Sequence, residues 1–400
     1  MHLLTGEAKN RGENFRPETR RAWMERMLAL GVVAPTFCRN LALGQSTSSK
    51  SEATKWSIPG LFPGKVVSVS DHRSIVSGVY QKEPVQRMIR TGMQSLTGAP
   101  DWRESWKMFF SPGERVGIKL NPVSRPYVMS DPTVLHEIIA GLEAAGVKKK
   151  DIVVYDRYKA EFLEAGFDKW LPDGVRMGYA AQNYEEVQQG MDGYDPDHYL
   201  DMQLTLPGFG FNNERARRSY ASKFITTNVD KLVNVCLLKH HQSAGITIAL
   251  KNLSHGLVNN VNRSHSSPML NACGAFIPAS VSIPVIRHKT VLNICDGIKG
   301  LYHGGPGVTA HKVKYVWEHK TMYFSTDPVA MDRIGWNALD AQRARVGMAP
   351  IADAKPDADS GFVRMQPEHV DIAGALGLGE GDMRKIKHII LKGEGPVKQA

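Results

Sequence analysis

A chain of 400 residues with 42% hydrophobic and 22% charged positions is long enough to bury a large core, and its composition excludes disordered, collagen-like and disulfide-scaffold proteins. The formal charge is +10, but the first 50 residues hold eight Lys or Arg against four Glu, so only +6 remains for the rest, with no basic run longer than Lys148-Lys149-Lys150. This mildly basic body argues against nucleic acid as a partner and favours a small anionic ligand.

The chain opens on an address. TRRAWMERMLALGVVAPTF has Arg20-Arg21, then Trp23 and Met24, then an apolar run from Met27 to Phe37, the pattern of a twin-arginine export signal. Ala42-Leu43-Gly44 offers small residues to a signal peptidase, which makes Gln45 the first mature residue. Residues 1–44 are therefore expected to be an export signal, with the twin-arginine export machinery as partner and the periplasm as destination. The apolar run is shorter than the ~20 residues of a spanning helix, and no transmembrane helix is expected in the mature chain. Residues 45–64, small, polar and punctuated by Pro and Gly, read as a linker.

Strand and helix patterns then alternate. VVSVS (66–70) and ERVGIKLN (114–121) are β-branched or apolar runs. PTVLHEIIAGLEAAG (132–146) has apolar residues at helical spacing, with Asp131-Pro132 to start the helix and Gly146 to stop it. KDIVVYD (150–156) completes a βαβ unit, so the sheet should be parallel, with ligand groups at the strands' C-terminal ends. Residues 170–225, dense in Pro, Gly, Asp and Tyr, read as an irregular insertion with one strand near Val175–Tyr179. DKLVNVCLLK (230–239) and KTVLNICDGIKG (289–300) are near-continuous apolar runs, as expected of strands covered on both faces. A helix is predicted over residues 245–257 and another over 328–345, the latter behind the capping candidates Ser325, Thr326 and Asp327. KHIILKG (387–393) supplies a last strand. The fold class is thus α/β, with two Rossmann-like lobes, mainly parallel sheets and a cleft between them: residues 65–225 and 226–400. Cys236, Cys273 and Cys295 form no C-x-x-C and give no iron-sulfur signature; whether Cys236 and Cys295 pair is left open.

The chemistry concentrates in KHHQSAGITIALKNLSHG (239–256). His240, His241 and Gln242 fall at a strand's C-terminal end, beside the N-terminus of the helix expected after Gly245, where free N–H groups favour anions. Lys251 and His255 share one face of that helix. Neutral imidazole serves as acid, base or metal ligand, and a buried lysine can lose enough basicity to become a nucleophile. The candidates are His240, His241 and Lys251 for catalysis, and Arg125, Asn121 and Asn252 for substrate binding. For a transition metal they are His241, His255 and His265. Arg125 is a carboxylate clamp by guanidinium geometry. GLYHGGPG (300–307) reads as a mobile loop rather than a phosphate cradle.

GERVGIKLNPVSRP, the βαβ unit through DIVVYD, LLKHHQSAGITIALKNLSHGLV and STDPVAMD together resemble the bacterial and archaeal domain of unknown function 362 family, over roughly residues 65–345. That resemblance implies the fold rather than an activity. A more distant one, to the nickel-pincer lactate racemases, rests on Ser124-Arg125-Pro126 after a strand and on the order His241, Ala244-Gly245, Lys251. Asn121 stands where those enzymes have an acidic residue, and YDRY replaces a strand-end histidine. This second resemblance implies isomerisation or redox change of a hydroxy acid and a cofactor linked to Lys251. The expected function is an enzyme acting on a small anionic hydroxy acid or sugar acid; the alternative is a non-catalytic periplasmic binder of metal or anion.

Overall fold

The computed structural model describes residues 53–267 and 270–393. The expected export signal and the first part of the linker lie outside the described residues. From Trp56 onward the linker is packed rather than free, with Ile58 buried and the Trp56 ring 6.2 Å from that of Phe109.

In chain order, β1 (Lys65–Ser70) is followed by a small hairpin of β2 (Ile75–Val76) and β3 (Val79–Tyr80), then α1 (Lys82–Thr97) and α2 (Trp102–Lys107). Sequence reading missed α1, because Pro84 and Gly92 interrupt its apolar stripe. Pro84 lies in the first turn, where its missing N–H has no intrahelical partner to lose. Gly92 lies under the Phe324 ring, 2.2 Å from where a Cβ would stand. Next come β4 (Val116–Lys119), α3 (Pro132–Ala144), β5 (Ile152–Tyr155), α4 (Lys159–Glu164) and β6 (Arg176–Gly178). Asp131 caps α3 as predicted, accepting from the Thr133 N–H at 2.8 Å. The insertion holds more order than expected: β7 (Tyr194–Asp201) and β8 (Arg218–Ser222) pair antiparallel around α5 (Glu214–Arg217).

The second half runs β9 (Lys231–His241), β10 (Gly245–Thr247), α6 (Ala249–Leu257), α7 (Cys273–Val281), α8 (Pro284–Lys289), β11 (Thr290–Leu301), β12 (Val316–Ser325), α9 (Pro328–Arg345), α10 (His369–Ala375) and β13 (Lys387–Lys392). The helix expected from residue 245 starts at Ala249 because Gly245, at φ +80°, reverses the chain and pairs it back on His241 as β10. α9 spans the predicted residues, capped by Asp327 through the Ala330 N–H at 2.9 Å.

One sheet runs in the order β13-β1-β12-β11-β9-β4-β5-β6, parallel throughout except for β12 and the short β10. The two expected lobes therefore share a continuous sheet, because β4 of the first half pairs directly with β9 of the second. Helices cover both faces. Strand alternation feeds two cores: Val233 and Val235 pack with the side of α1 and α3, while Leu232, Cys236 and Leu238 pack with α6, α7 and α9. Cys236 and Cys295 face each other across β9 and β11 as free, buried thiols. No helix among the described residues is long and apolar enough to cross a membrane.

Between β4 and β9 the strand order reverses, the chain moving one way through β5 and β6 and the other way through β11 and β12. In an open α/β sheet such a reversal leaves a crevice at the carboxyl ends of the strands.

Candidate functional site

A cavity of about 260 Å³ lies at that crevice, lined from the end of β4 and the loop after it by Lys119 and Asn121, from the loop after β5 by Asp156 and Arg157, from β9 by Lys239 and His241, and from α6 by Lys251, Asn252 and His255. His265 and Pro306 close it from the loops. Four cations against the carboxylates of Asp156 and Glu161 make the walls net positive when the lysines are protonated.

Of the cations, Lys119 is paired, its Nζ 2.5 Å from Asp156 Oδ1. Lys239 is fully buried and donates to Asn121 Oδ1 at 3.0 Å and to the Val123 carbonyl at 2.6 Å. Burial, then the nearby Lys251 and Lys119, bring its pKa down to about 7. Burial likewise brings Lys251 down to about 8, against the opposing pull of Cys273. The Lys251 ammonium has no hydrogen-bond or ion-pair partner among the described residues. Asn252 donates to Asn234 Oδ1 at 2.7 Å and accepts from Asn121 Nδ2 at 3.1 Å, so the two predicted substrate-binding amides spend most of their capacity on each other and on the strands.

The hydrogen bonds assign the ring protons. His241 Nδ1 accepts from the N–H groups of Ser243 and Ala244 at 3.0 and 3.2 Å, so the neutral ring carries its proton on Nε2. That Nε2–H is buried and has no partner among the described residues. The Ser264 hydroxyl donates to the Val261 carbonyl at 2.6 Å, which leaves its oxygen to accept from His255 Nε2 at 3.0 Å and His265 Nδ1 at 2.9 Å. His265 is thereby left with a bare Nε2 lone pair. Burial, then the Lys251 charge, hold all three rings well below the usual imidazole pKa, so they are neutral.

Several expected roles change. His240 does not reach the cavity: strand alternation turns it to the other face, where Nε2 lies 3.0 Å from Met365 Sδ and the ring 5.1 Å from that of His303. Arg125 lies outside it too, because Glu164 on α4 takes its guanidinium, with Glu161 3.9 Å away. The α6 N-terminus is not open to an anion, since the Asp332 carboxylate accepts from the Ala249 and Leu250 N–H groups at 2.7 and 3.2 Å. The 300–307 loop is packed rather than free: the Gly305 carbonyl accepts from the Gln242 N–H at 3.1 Å, and a Cβ on Gly305 would stand 1.9 Å from the His240 carbonyl oxygen.

For the metal expectation, His255 and His265 do converge, but with Cys273 as the third donor, the ligating atoms lying within 4.8 Å of one another. His241 does not complete the set, because Nε2 would have to lose the proton that the two N–H groups on Nδ1 place there. The same obstacle stands against a metal-ligating His241 beside a cofactor on Lys251. What holds His255 and His265 together is the Ser264 hydroxyl.

Lys239, Lys119 and Arg157 were not expected at the site. For the two lysines a signal was present in VGIKLN and VCLLKHH: a lysine inside an otherwise apolar, doubly covered strand is too costly to bury without a purpose.

The model of the domain of unknown function (DUF362) matches residues 116–337, more than half of the chain and every strand and helix that builds the cavity. The chain belongs to the DUF362 family. Among curated proteins none matches it. A solved structure similar to this DUF362 chain is a Thermotoga maritima protein from a structural genomics consortium, at 14% identity and a TM-score of 0.31. The match covers 52% of this chain and 53% of that one, so it spans about half of either.

Proposed function

We propose that this DUF362 protein is an enzyme that isomerises a small anionic hydroxy acid or sugar acid by acid-base chemistry carried by its own side chains. The observation that carries the reading is the pair of open valences in one buried cavity, the unpaired Lys251 ammonium and the unpartnered His241 Nε2–H. A carboxylate satisfies Lys251. A substrate carbonyl oxygen satisfies His241, which as a neutral imidazole polarises it without giving up its proton.

The bare Nε2 of His265 is the proton acceptor. It removes a proton from the carbon beside the carbonyl, and the electron pair moves onto the carbonyl oxygen to form an enediolate held by the His241 N–H. The hydroxyl proton of the deprotonated carbon passes to that oxygen, and return of the proton from His265 to the former carbonyl carbon completes the isomerisation. An imidazole with so depressed a pKa is a weak base, which favours a proton acidified by an adjacent aldehyde or ketone over that of a plain 2-hydroxy carboxylate. Lys239 acts by positioning, bracing Asn121 and through it Asn252.

The test is deuterium incorporation from D2O, followed by NMR across a panel of short hydroxy, keto and sugar acids. The expected result is exchange beside the carbonyl of at least one member, lowered by roughly 10²-fold or more in His265→Gln, the scale of general-base catalysis. Binding without exchange, equally lost in Lys251→Met, would replace the enzyme by a non-catalytic anion binder, a reading that the same two open valences support. Neither binding nor exchange would remove the site from consideration.

We also propose export through the twin-arginine machinery to the periplasm, on the strength of Arg20-Arg21 and the apolar run behind them. Intact mass of the protein from its native host should show a chain beginning at Gln45; a full-length chain in the cytoplasm would refute it.

A further inference from the structure

A second cavity, of about 490 Å³, adjoins the first on the side of β6 and the 179–194 segment, and Tyr158 and Gln188 line both. Ligand pockets commonly hold about 300–1,000 Å³. The inner cavity alone falls below that range, and the two joined fall within it.

Gln188 stands at the junction in an unusual state. It is buried and holds φ +54°, a left-handed conformation that costs a non-glycine residue energy. Its Oε1 accepts from the Val261 and Asn262 N–H groups at 2.9 and 3.3 Å, and its backbone carbonyl from the Asn260 N–H at 3.0 Å. Those bonds settle the orientation of the amide, because only the oxygen can accept. The Nε2 group is then left buried with no partner among the described residues, and a donor so placed costs on the order of 1–3 kcal/mol unless something accepts from it.

The outer cavity combines the rings of Tyr158, Tyr179 and Tyr194 with the planar polar groups of Asn183, Glu185 and Asn228. Aromatic faces that cover C–H groups, interleaved with amides and carboxylates that bond hydroxyls, suit a polyhydroxylated chain. Lys223, whose Nζ donates to the Asp192 carbonyl at 2.8 Å, and the Asp192 side chain add further polar groups to this wall, which does not suit a purely apolar tail.

We infer that the two cavities form one bipartite site for a sugar acid: the inner part takes the anionic head and the reacting carbons, the outer part takes the polyol tail, and Gln188 Nε2 donates to a tail hydroxyl at the junction. This rests on the function proposed above and narrows its substrate to acids longer than three carbons.

The experiment is calorimetric titration of the full chain with lactate, D-gluconate and D-glucuronate, in the wild type and in Lys251→Met, Gln188→Met and Tyr179→Ala. The six-carbon acids are expected to bind at least about tenfold more tightly than lactate, the equivalent of one good extra contact. Gln188→Met and Tyr179→Ala should each bring that ratio toward one, and Tyr179→Ala serves even where Gln188→Met disturbs the 260–262 backbone that it supports. Equal affinity for short and long acids, with binding still lost in Lys251→Met, would overturn the bipartite site and leave the inner anion site standing. Binding of none of the three acids would overturn both.

Discussion

At the scale of single residues, the site turns on where protons and charges sit. Lys251 faces His241, His255 and His265, all neutral, together with Arg157, Lys239 and the Cys273 thiol, so the charges of Lys251 and Lys239 are the ones that change the cavity's hold on an anion near neutral pH. With its pKa at about 8, Lys251 is protonated below that value and loses its charge above it. Anion affinity is therefore expected to begin declining near pH 7, where Lys239 loses its charge, and to fall most steeply, by up to roughly tenfold per unit, above pH ~8.5 as Lys251 follows. A flat profile from pH 6 to 10 would show that Lys251 is not the anion holder. His241 makes a second residue-scale prediction: His241→Gln, which offers an amide N–H in place of the ring N–H, should retain more exchange activity than His241→Phe, which offers none. Equal activity in the two would remove the electrophile from the mechanism.

At the scale of elements, the start of α6 decides how Lys251, Asn252 and His255 are presented. Its first N–H groups are answered by the Asp332 side chain reaching across from α9, and burial pushes that carboxyl up to about 8 against the two bonds that lower it. Asp332→Ala leaves two buried donors without partners and should destabilise the fold by about 3 kcal/mol, read by urea unfolding, with a smaller loss in Asp332→Asn, which keeps one acceptor. An unchanged midpoint in Asp332→Ala would mean that water replaces the carboxylate. Most elements were legible from sequence because their patterns are local: the apolar spacing and Asp-Pro start of α3, the cap before α9 and the unbroken apolar runs of β9 and β11. The misses have causes the pattern does not carry. α1 was hidden by a proline tolerated in its first turn and a glycine that makes room for the Phe324 ring, and β7 and β8 by sequences whose strand character comes from pairing with each other.

At the scale of the whole molecule, burying lysines at the sheet's centre bears on stability. Lys239 has a folded pKa of about 7 against an ordinary value near 10.5. Between those values the unfolded chain binds more protons than the folded one, so this group makes stability rise as pH increases from about 7 to 10 and lowers it on the acid side. Measured by urea unfolding, the wild type should gain stability relative to Lys239→Met over that interval. A relative loss would mean that the lysine is charged in the folded state and compensated by its neighbours.

What the amino-acid order determined on its own is the α/β class, the order of the main strands and helices, and the 239–256 segment as the candidate site, since periodicity, caps and a cluster of titratable residues are all properties of neighbours along the chain. Only the tertiary structure decided that the two halves share one sheet, because β4 to β9 pairing joins residues more than a hundred positions apart. It also decided that His241 and not His240 faces the cavity and that Arg125 is taken by α4. The proton on His241 and the orientation of the Gln188 amide depend on which backbone groups they meet in space, and no spacing along a chain encodes that.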